Sequence, residues 1–194
     1  MKINIAVFAS GSGTNAENLV LYFRTNPLAE VSLIVCNKPD AFVLTRAENL
    51  GVESLLINRT DWEHPENLVQ ELLKRKIDLI VLAGFLWLIP PALIEAFPRR
   101  IINIHPALLP KYGGKGMYGD KVHESVKINS ETETGITIHY VDNKYDTGDI
   151  IFQESVKINP ILESADEIAH KVHELEYKWY PEIVARVAGE IQKK

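Results

Sequence analysis

A single cysteine, Cys36, stands in a chain of 194 residues. No intrachain disulfide can therefore form, and no pair of thiols is available for a structural zinc site. The six histidines show no metal-ligand spacing, so no metal is expected. No apolar run approaches the roughly 20 residues that span a bilayer. The first residues, Met1 to Val7, begin a strand pattern at once, without the apolar core and small-residue cleavage site of a signal peptide. Long basic runs are missing and the formal net charge is −5, which argues against a nucleic-acid partner. Linker-like stretches are missing too. These absences predict one domain over residues 1–194, in the cytoplasm, with no membrane contact. Cys36 reads as a small buried apolar residue rather than a nucleophile, and no serine lies in a nucleophile-elbow pattern.

What is present is ordinary for a globular protein: 46% hydrophobic and 24% charged residues. Apolar runs of strand length recur at Ile3–Ala9, Val31–Asn37, Ser54–Ile57, Ile77–Ala83 and Ile101–His105. Helical patterns lie between them at Thr14–Thr25, Ala41–Leu50 (Asp40 as N-cap, Gly51 as stop), Pro65–Lys76 and Pro91–Ala96. Such alternation predicts an α/β fold, a Rossmann-like doubly wound sheet that is mostly parallel. After His105 the pattern changes. A glycine-rich loop over residues 111–119 precedes a helix near Lys121–Ile128 and two strands, Gly135–Val141 and Ile150–Ile158, the C-terminal antiparallel portion. ESVKIN occurs twice, at Glu124–Asn129 and Glu154–Asn159; context predicts a helix for the first and a strand for the second. A C-terminal helix starts at a Ser164/Glu167 capping box and carries the stripe Ile168, Val172, Leu175, Trp179; Pro181 allows a break and a second short helix.

Chemistry concentrates in five places. Gly11, Ser12, Gly13, Thr14 and Asn15 lie between the first strand and first helix, where backbone amides and a helix N-terminus favour an anion. The string also fits G-x-G-x-x-A, but the second strand ends Cys36-Asn37-Lys38 with no ribose-binding acid, so phosphate is read and NAD is not. A tight turn that needs small residues is the bland alternative. Asn103 and His105 share one side of the fifth strand at its exit, and two polar groups so placed are costly unless used. A carboxamide and an imidazole suit a reaction in which an oxyanion forms while a proton moves. A satisfied core histidine is the alternative. His139 follows the same alternation and can line the same cleft, whereas His64, His123 and His170 read as surface residues. Asp146 sits with Asp142 and Asp149 in a polar loop, either a solvated turn or the carboxylate that orients His105 and favours its protonated form. The run Leu86, Trp87, Leu88, Ile89 is either core or the wall of a pocket for a flat heterocycle. His173 and Glu176 share a helix face that by default is solvated.

Four segments together, Gly11-Ser12-Gly13-Thr14-Asn15, Val81-Leu82-Ala83-Gly84-Phe85, Asn103-Ile104-His105-Pro106 with Leu108-Leu109-Pro110, and Asp146-Thr147-Gly148, resemble the phosphoribosylglycinamide formyltransferases over nearly the whole chain. The resemblance implies the formyltransferase fold, with a nucleotide-binding half (about 1–100) and a catalytic, folate-binding half (about 101–194). It implies formyl transfer from 10-formyltetrahydrofolate to the amine of glycinamide ribonucleotide in purine biosynthesis, by direct attack through a tetrahedral intermediate, in a monomer or homodimer. Asn103, His105 (charged or proton-donating) and Asp146 would be catalytic. Gly11 to Asn15, His173 and Glu176 would bind the ribonucleotide phosphate and ribose. Leu86 to Ile89, Asn103, Asp142 and Asp146 would bind folate. Trp87, Asp149 and His173 stand where arginine, proline and glutamine are expected, and the extra glycines of Gly113–Gly119 suggest a mobile lid. Another 10-formyltetrahydrofolate-dependent transferase or hydrolase, or a non-catalytic nucleotide-binding module, are the alternative readings.

Overall fold

A computed structural model describes residues 2–193. One mixed sheet runs through it in the order β3-β2-β1-β4-β5-β6-β7. The strands are β1 (Ile3–Ala9), β2 (Ala29–Cys36), β3 (Glu53–Leu56), β4 (Leu79–Leu82), β5 (Ile101–His105), β6 (Glu133–Tyr140) and β7 (Ile150–Lys157). Strands β1 to β5 pair in parallel; β6 runs antiparallel to β5, and β7 to β6. The helices are α1 (Thr14–Thr25), α2 (Phe42–Leu50), α3 (Arg59–Glu63), α4 (Glu66–Lys74), α5 (Pro91–Ala96), α6 (Asp120–Ile128) and α7 (Ala165–Gln192). The expected fold class is the observed one.

The period of two along each strand divides the core between the faces of the sheet. Ile5, Val7 and Ala9 of β1 join Val81, Ile102 and Ile138 in one cluster, covered by α1, α2 and α7. Ala6 and Phe8 join Ile80, Leu82 and Ile101 in the other, with Leu68, Leu72 and Leu93 of α4 and α5. In an open α/β sheet, ligands bind at the carboxyl ends of the strands where the strand order reverses. Here that point lies between β1 and β4. Behind it, Tyr180 of α7 is fully buried and its hydroxyl donates to the Leu82 carbonyl at 2.6 Å.

Local structure departs from the sequence reading in four places. The N-cap of α2 is Ala41 rather than Asp40, and it makes no side-chain cap. An additional short helix, α3, carries a capping box between Asn58 and Asp61, within the stretch read as connection. His123 is buried rather than at the surface, since it stands beside Val122 and Val126 on the inner face of α6. And α7 does not use the break that Pro181 allows; it runs unbroken from Ala165 to Gln192, 28 residues in all. Proline lacks the N–H that would bind the Tyr177 carbonyl four residues back. That carbonyl instead accepts a 2.8 Å hydrogen bond from Asn18 Nδ2 on α1, and the freed acceptor becomes a contact between two helices. The two ESVKIN copies lie in α6 and β7, as context predicted.

Asn18→Ala removes this substitute donor and should lower unfolding free energy by about 1 kcal/mol. In a Pro181→Ala background the helix supplies its own N–H, so the Asn18 penalty should shrink toward zero. Denaturant melts of the four proteins in this cycle check the coupling.

Candidate active site

A cavity of about 610 Å³ opens at the switch point. The loop after β1, the loop after β4, the end of β5, the loop before α6 and one face of α7 all line it. This volume suits a small-molecule ligand.

The loop after β1 is braced from outside. Val43 N–H of α2 donates to the Gly11 carbonyl at 3.1 Å, and Arg46 Nε donates to the Ser12 carbonyl at 2.9 Å. In a trans peptide the C=O and the following N–H point in opposite directions. The N–H groups of Ser12 and Gly13 are thereby turned away from α2, on the side of the cavity that both residues line. Gly13 caps α1 in the left-handed region (φ 76°), and no side chain caps that helix. Its need for glycine is met first by packing: a Cβ there would fall 2.4 Å from Val43 Cγ2. Behind the loop, Ser10 Oγ accepts from Leu86 N–H at 3.1 Å and ties it to the loop after β4.

At the other end, antiparallel pairing places Asn103 opposite His139 and His105 opposite Thr137. Cross-strand partners share a face, so all four side chains stand together. Asp146 comes under them from the loop between β6 and β7. That loop is tight: Asp146 has φ 56°, and a Cβ on Gly148 would meet the Tyr140 carbonyl at 1.9 Å. Asp146 Oδ2 lies 3.6 Å from His105 Nδ1, and Oδ1 lies 3.6 Å from His139 Nε2. Gly114 N–H donates to Oδ2 at 2.8 Å. Burial raises the carboxyl pKa, but the contact with His139, the proximity of His105 and the Gly114 amide outweigh it, so Asp146 is held ionised.

His105 takes the opposite course. Burial pushes its pKa below the usual histidine value, and Asp146 and the Tyr112 carbonyl only partly offset this. At neutral pH the ring in the empty site is therefore neutral, where the family resemblance implied a charged or proton-donating form. Nε2 sits 2.7 Å from the Tyr112 carbonyl, which can only accept, so Nε2 carries the proton and Nδ1 presents a lone pair. His139 Nδ1 likewise faces a carbonyl, that of Tyr140 at 2.8 Å, leaving Nε2 to accept from Asn103 Nδ2 at 3.1 Å. The second N–H of the Asn103 amide remains for a ligand.

The family profile described as Formyl transferase matches residues 3–184. This chain belongs to the formyl transferase family. It is 37% identical over 189 residues to phosphoribosylglycinamide formyltransferase of Bacillus subtilis, covering 95% of this chain and 94% of that one. It is 39% identical to the chloroplastic phosphoribosylglycinamide formyltransferase of Arabidopsis thaliana, but spans only 65% of that longer protein. Among solved structures, glycinamide ribonucleotide transformylase 1 of Geobacillus kaustophilus superposes with a TM-score of 0.88 at 35% identity, covering 97% of this chain and 100% of that one.

In this formyl transferase family member the cavity gathers nearly all the residues singled out in the sequence. Gly11 to Asn15, Leu86 to Ile89, Asn103, His105, His139, Asp146, His173 and Glu176 line it. Asp142 does not; its carboxylate stays within its own loop, accepting from Lys144 N–H and the Thr147 hydroxyl. Trp87 packs in an aromatic group with Trp62 and Phe85, so the run is both core and wall. Glu176 is buried rather than solvated and accepts from Asn15 Nδ2 at 2.8 Å and His173 Nδ1 at 2.9 Å. His139 bears more of the site than its sequence position suggested, because only the β5–β6 register reveals its contact with Asn103. His123 was missed. The signal that could have found it is its place next to Val122 and three before Val126, on the apolar face of a short helix.

Gly13→Ala should lower stability by about 1–3 kcal/mol, from left-handed strain and the contact with Val43. Gly11→Ala, whose Cβ meets nothing within 4 Å, should melt close to wild type. Thermal denaturation of both proteins tests this division of labour.

Proposed function

We propose that this protein transfers the formyl group of 10-formyltetrahydrofolate to the amine of glycinamide ribonucleotide, a step of purine biosynthesis in the cytoplasm. The observation that carries the reading is the cluster of Asn103, Asp146 and the buried His105 and His139, at the end of a cavity whose other end offers the turned-out amides of Ser12 and Gly13. A non-catalytic nucleotide-binding module would need only the second end.

The ribonucleotide phosphate lies on the Gly11–Asn15 loop, and Glu176 with His173 meets its sugar. The folate heterocycle lies against Leu86 to Ile89. Its formyl carbonyl then sits beside Asn103. As the amine attacks, a C–N bond forms and the carbonyl oxygen gains charge, which the free Asn103 N–H stabilises. The attacking amine becomes cationic, and His105 Nδ1, neutral and carrying a lone pair, takes its proton. The imidazolium so formed faces Asp146 and stabilises the adjacent oxyanion. Collapse of the intermediate breaks the bond to N10 of the folate, and the same proton is delivered to that nitrogen. Asp146 holds the ring in place and supports the charge it acquires in transit. Direct transfer of this kind uses no covalent enzyme intermediate.

Mixing the protein with both substrates and following folate absorbance tests the reaction. Transfer should proceed in the presence of a chelator. Activity lost with chelator and restored by a divalent ion would overturn the direct mechanism. Asn103→Ala or His105→Ala should lower kcat by about a hundredfold or more. A double variant of His105 and Asp146 should be little worse than the poorer single one, since the two act as a unit; fully additive losses would separate them.

The pH profile adds a signed expectation. His105 must be neutral to accept a proton, so activity falls on the acid side as it protonates, below the ordinary histidine value because burial lowers it. Asp146 raises the His105 pKa; Asp146→Asn removes that support. The acid limb of kcat/KM should then move to lower pH while kcat at neutrality falls.

A further inference from the structure

His123 is a buried side chain in the cavity for which the mechanism has no use. It is 2% exposed, lines the cavity, and its Nδ1 has no hydrogen-bond partner. Desolvating such an atom without a bond is costly, by about 1–3 kcal/mol. It stands in the first turn of α6, a nine-residue helix capped by Gly119 with no side-chain cap, whose N-terminal residues line the same cavity. A line of contacts joins it to the other glycine-capped helix: the His123 and His173 rings are 6.4 Å apart, His173 bonds Glu176, and Glu176 bonds Asn15 of α1. Two helix N-termini without side-chain caps, each carrying positive partial charge, thus open onto one cavity near an unpartnered imidazole.

We infer that His123 and the first turn of α6 complete the phosphomonoester site, with His123 Nδ1–H as a donor to a phosphate oxygen alongside the Ser12 and Gly13 amides. This extends the function proposed above and rests on it for the identity of the phosphate-bearing substrate. The charged and titratable groups facing His123 are His173 and Glu176 from α7, Asp120 from its own helix and His105 from β5. Burial and the neighbouring His173 keep the ring neutral in the empty site, while Glu176 holds His173 toward its charged form. A phosphate dianion would supply the counter-charge that His123 lacks, so binding draws a proton onto it. Affinity for the phosphate then rises as pH falls toward 6.

The probe is inorganic phosphate, competing against the ribonucleotide. His123→Phe keeps ring volume and removes the donor. It should raise both the phosphate inhibition constant and the ribonucleotide KM by about tenfold or more, with a much smaller change in folate KM. His123→Asn, which returns an N–H near the position of Nδ1, should recover most of the loss. In wild-type protein, titration with phosphate should move the His123 ring nitrogens toward their imidazolium resonance positions in a nitrogen–proton NMR spectrum. That measurement stands if the Phe variant does not fold. A folded His123→Phe protein with unchanged phosphate competition, or a wild-type His123 ring that ignores phosphate, overturns the inference. Phosphate binding at His123 without formyl transfer would sink the proposed reaction instead and leave this site standing.

Discussion

A carboxylate whose side chain is only 10% exposed is costly unless polar groups surround it, and at Asp146 this requirement organises two strands and two loops. His105 comes from β5, His139 from β6, and the Gly114 amide from the loop before α6. The register of β5 with β6 brings the two imidazoles to the same face. The left-handed Asp146 and the close passage of Gly148 against Tyr140 raise the carboxylate beneath them. Shift β6 by one residue against β5 and His139 turns to the opposite face of the sheet, into the apolar cluster of Ile104, Ile136 and Ile138, away from His105 and Asp146. The charged centre therefore depends on a backbone pairing, and the pairing leaves Asp146 partnered.

Much of this architecture could be read from the chain. β1, β5, α1 and α5 fall on the predicted residues, because glycine, proline and strand periodicity punctuate them unambiguously. Asn103 and His105 were legible for the same reason: a period of two puts polar groups at the exit of an apolar strand in plain view. What escaped depends on partners distant in sequence. The continuity of α7 through Pro181 rests on Asn18, 159 residues from the carbonyl it binds. His139 gains its place from a strand pairing that no local pattern encodes. Glu176 looked solvated, but Asn15, 161 positions away, makes it a buried acceptor. The state of His105 escaped for an energetic reason. The sequence displays a carboxylate neighbour, whereas the larger effect is desolvation, which only the folded packing determines.

The ESVKIN pair isolates the same lesson within identical residues. In α6 the segment follows Val122 and His123, and Val126 is the buried contact. In β7 the segment follows Ile150 to Phe152, and its residues Glu154 to Lys157 pair with Glu133 to Ile136. Six residues of weak propensity take whichever hydrogen-bond ladder their surroundings complete, because backbone groups must be satisfied one way or the other.

Histidines at the two ends of the cavity are driven to opposite charge states by opposite means. His173, half exposed, gains a hydrogen bond from its ring to Glu176 and is held toward the cation. His105, buried beside the cluster, loses more from desolvation than Asp146 returns, and is held neutral. An anion therefore finds positive charge at the α1 end without that charge reaching the imidazole that must accept a proton. Were the burial exchanged, an exposed His105 would already carry its proton near pH 6, and a buried His173 would offer a phosphate no charge. Glu176 mediates the separation: its carboxylate is committed to His173 and Asn15, and it lies close enough to raise His105 only as a minor influence. The division of one cavity into a binding end and a proton-transfer end thus follows from where each ring is desolvated, with the same residue type serving both.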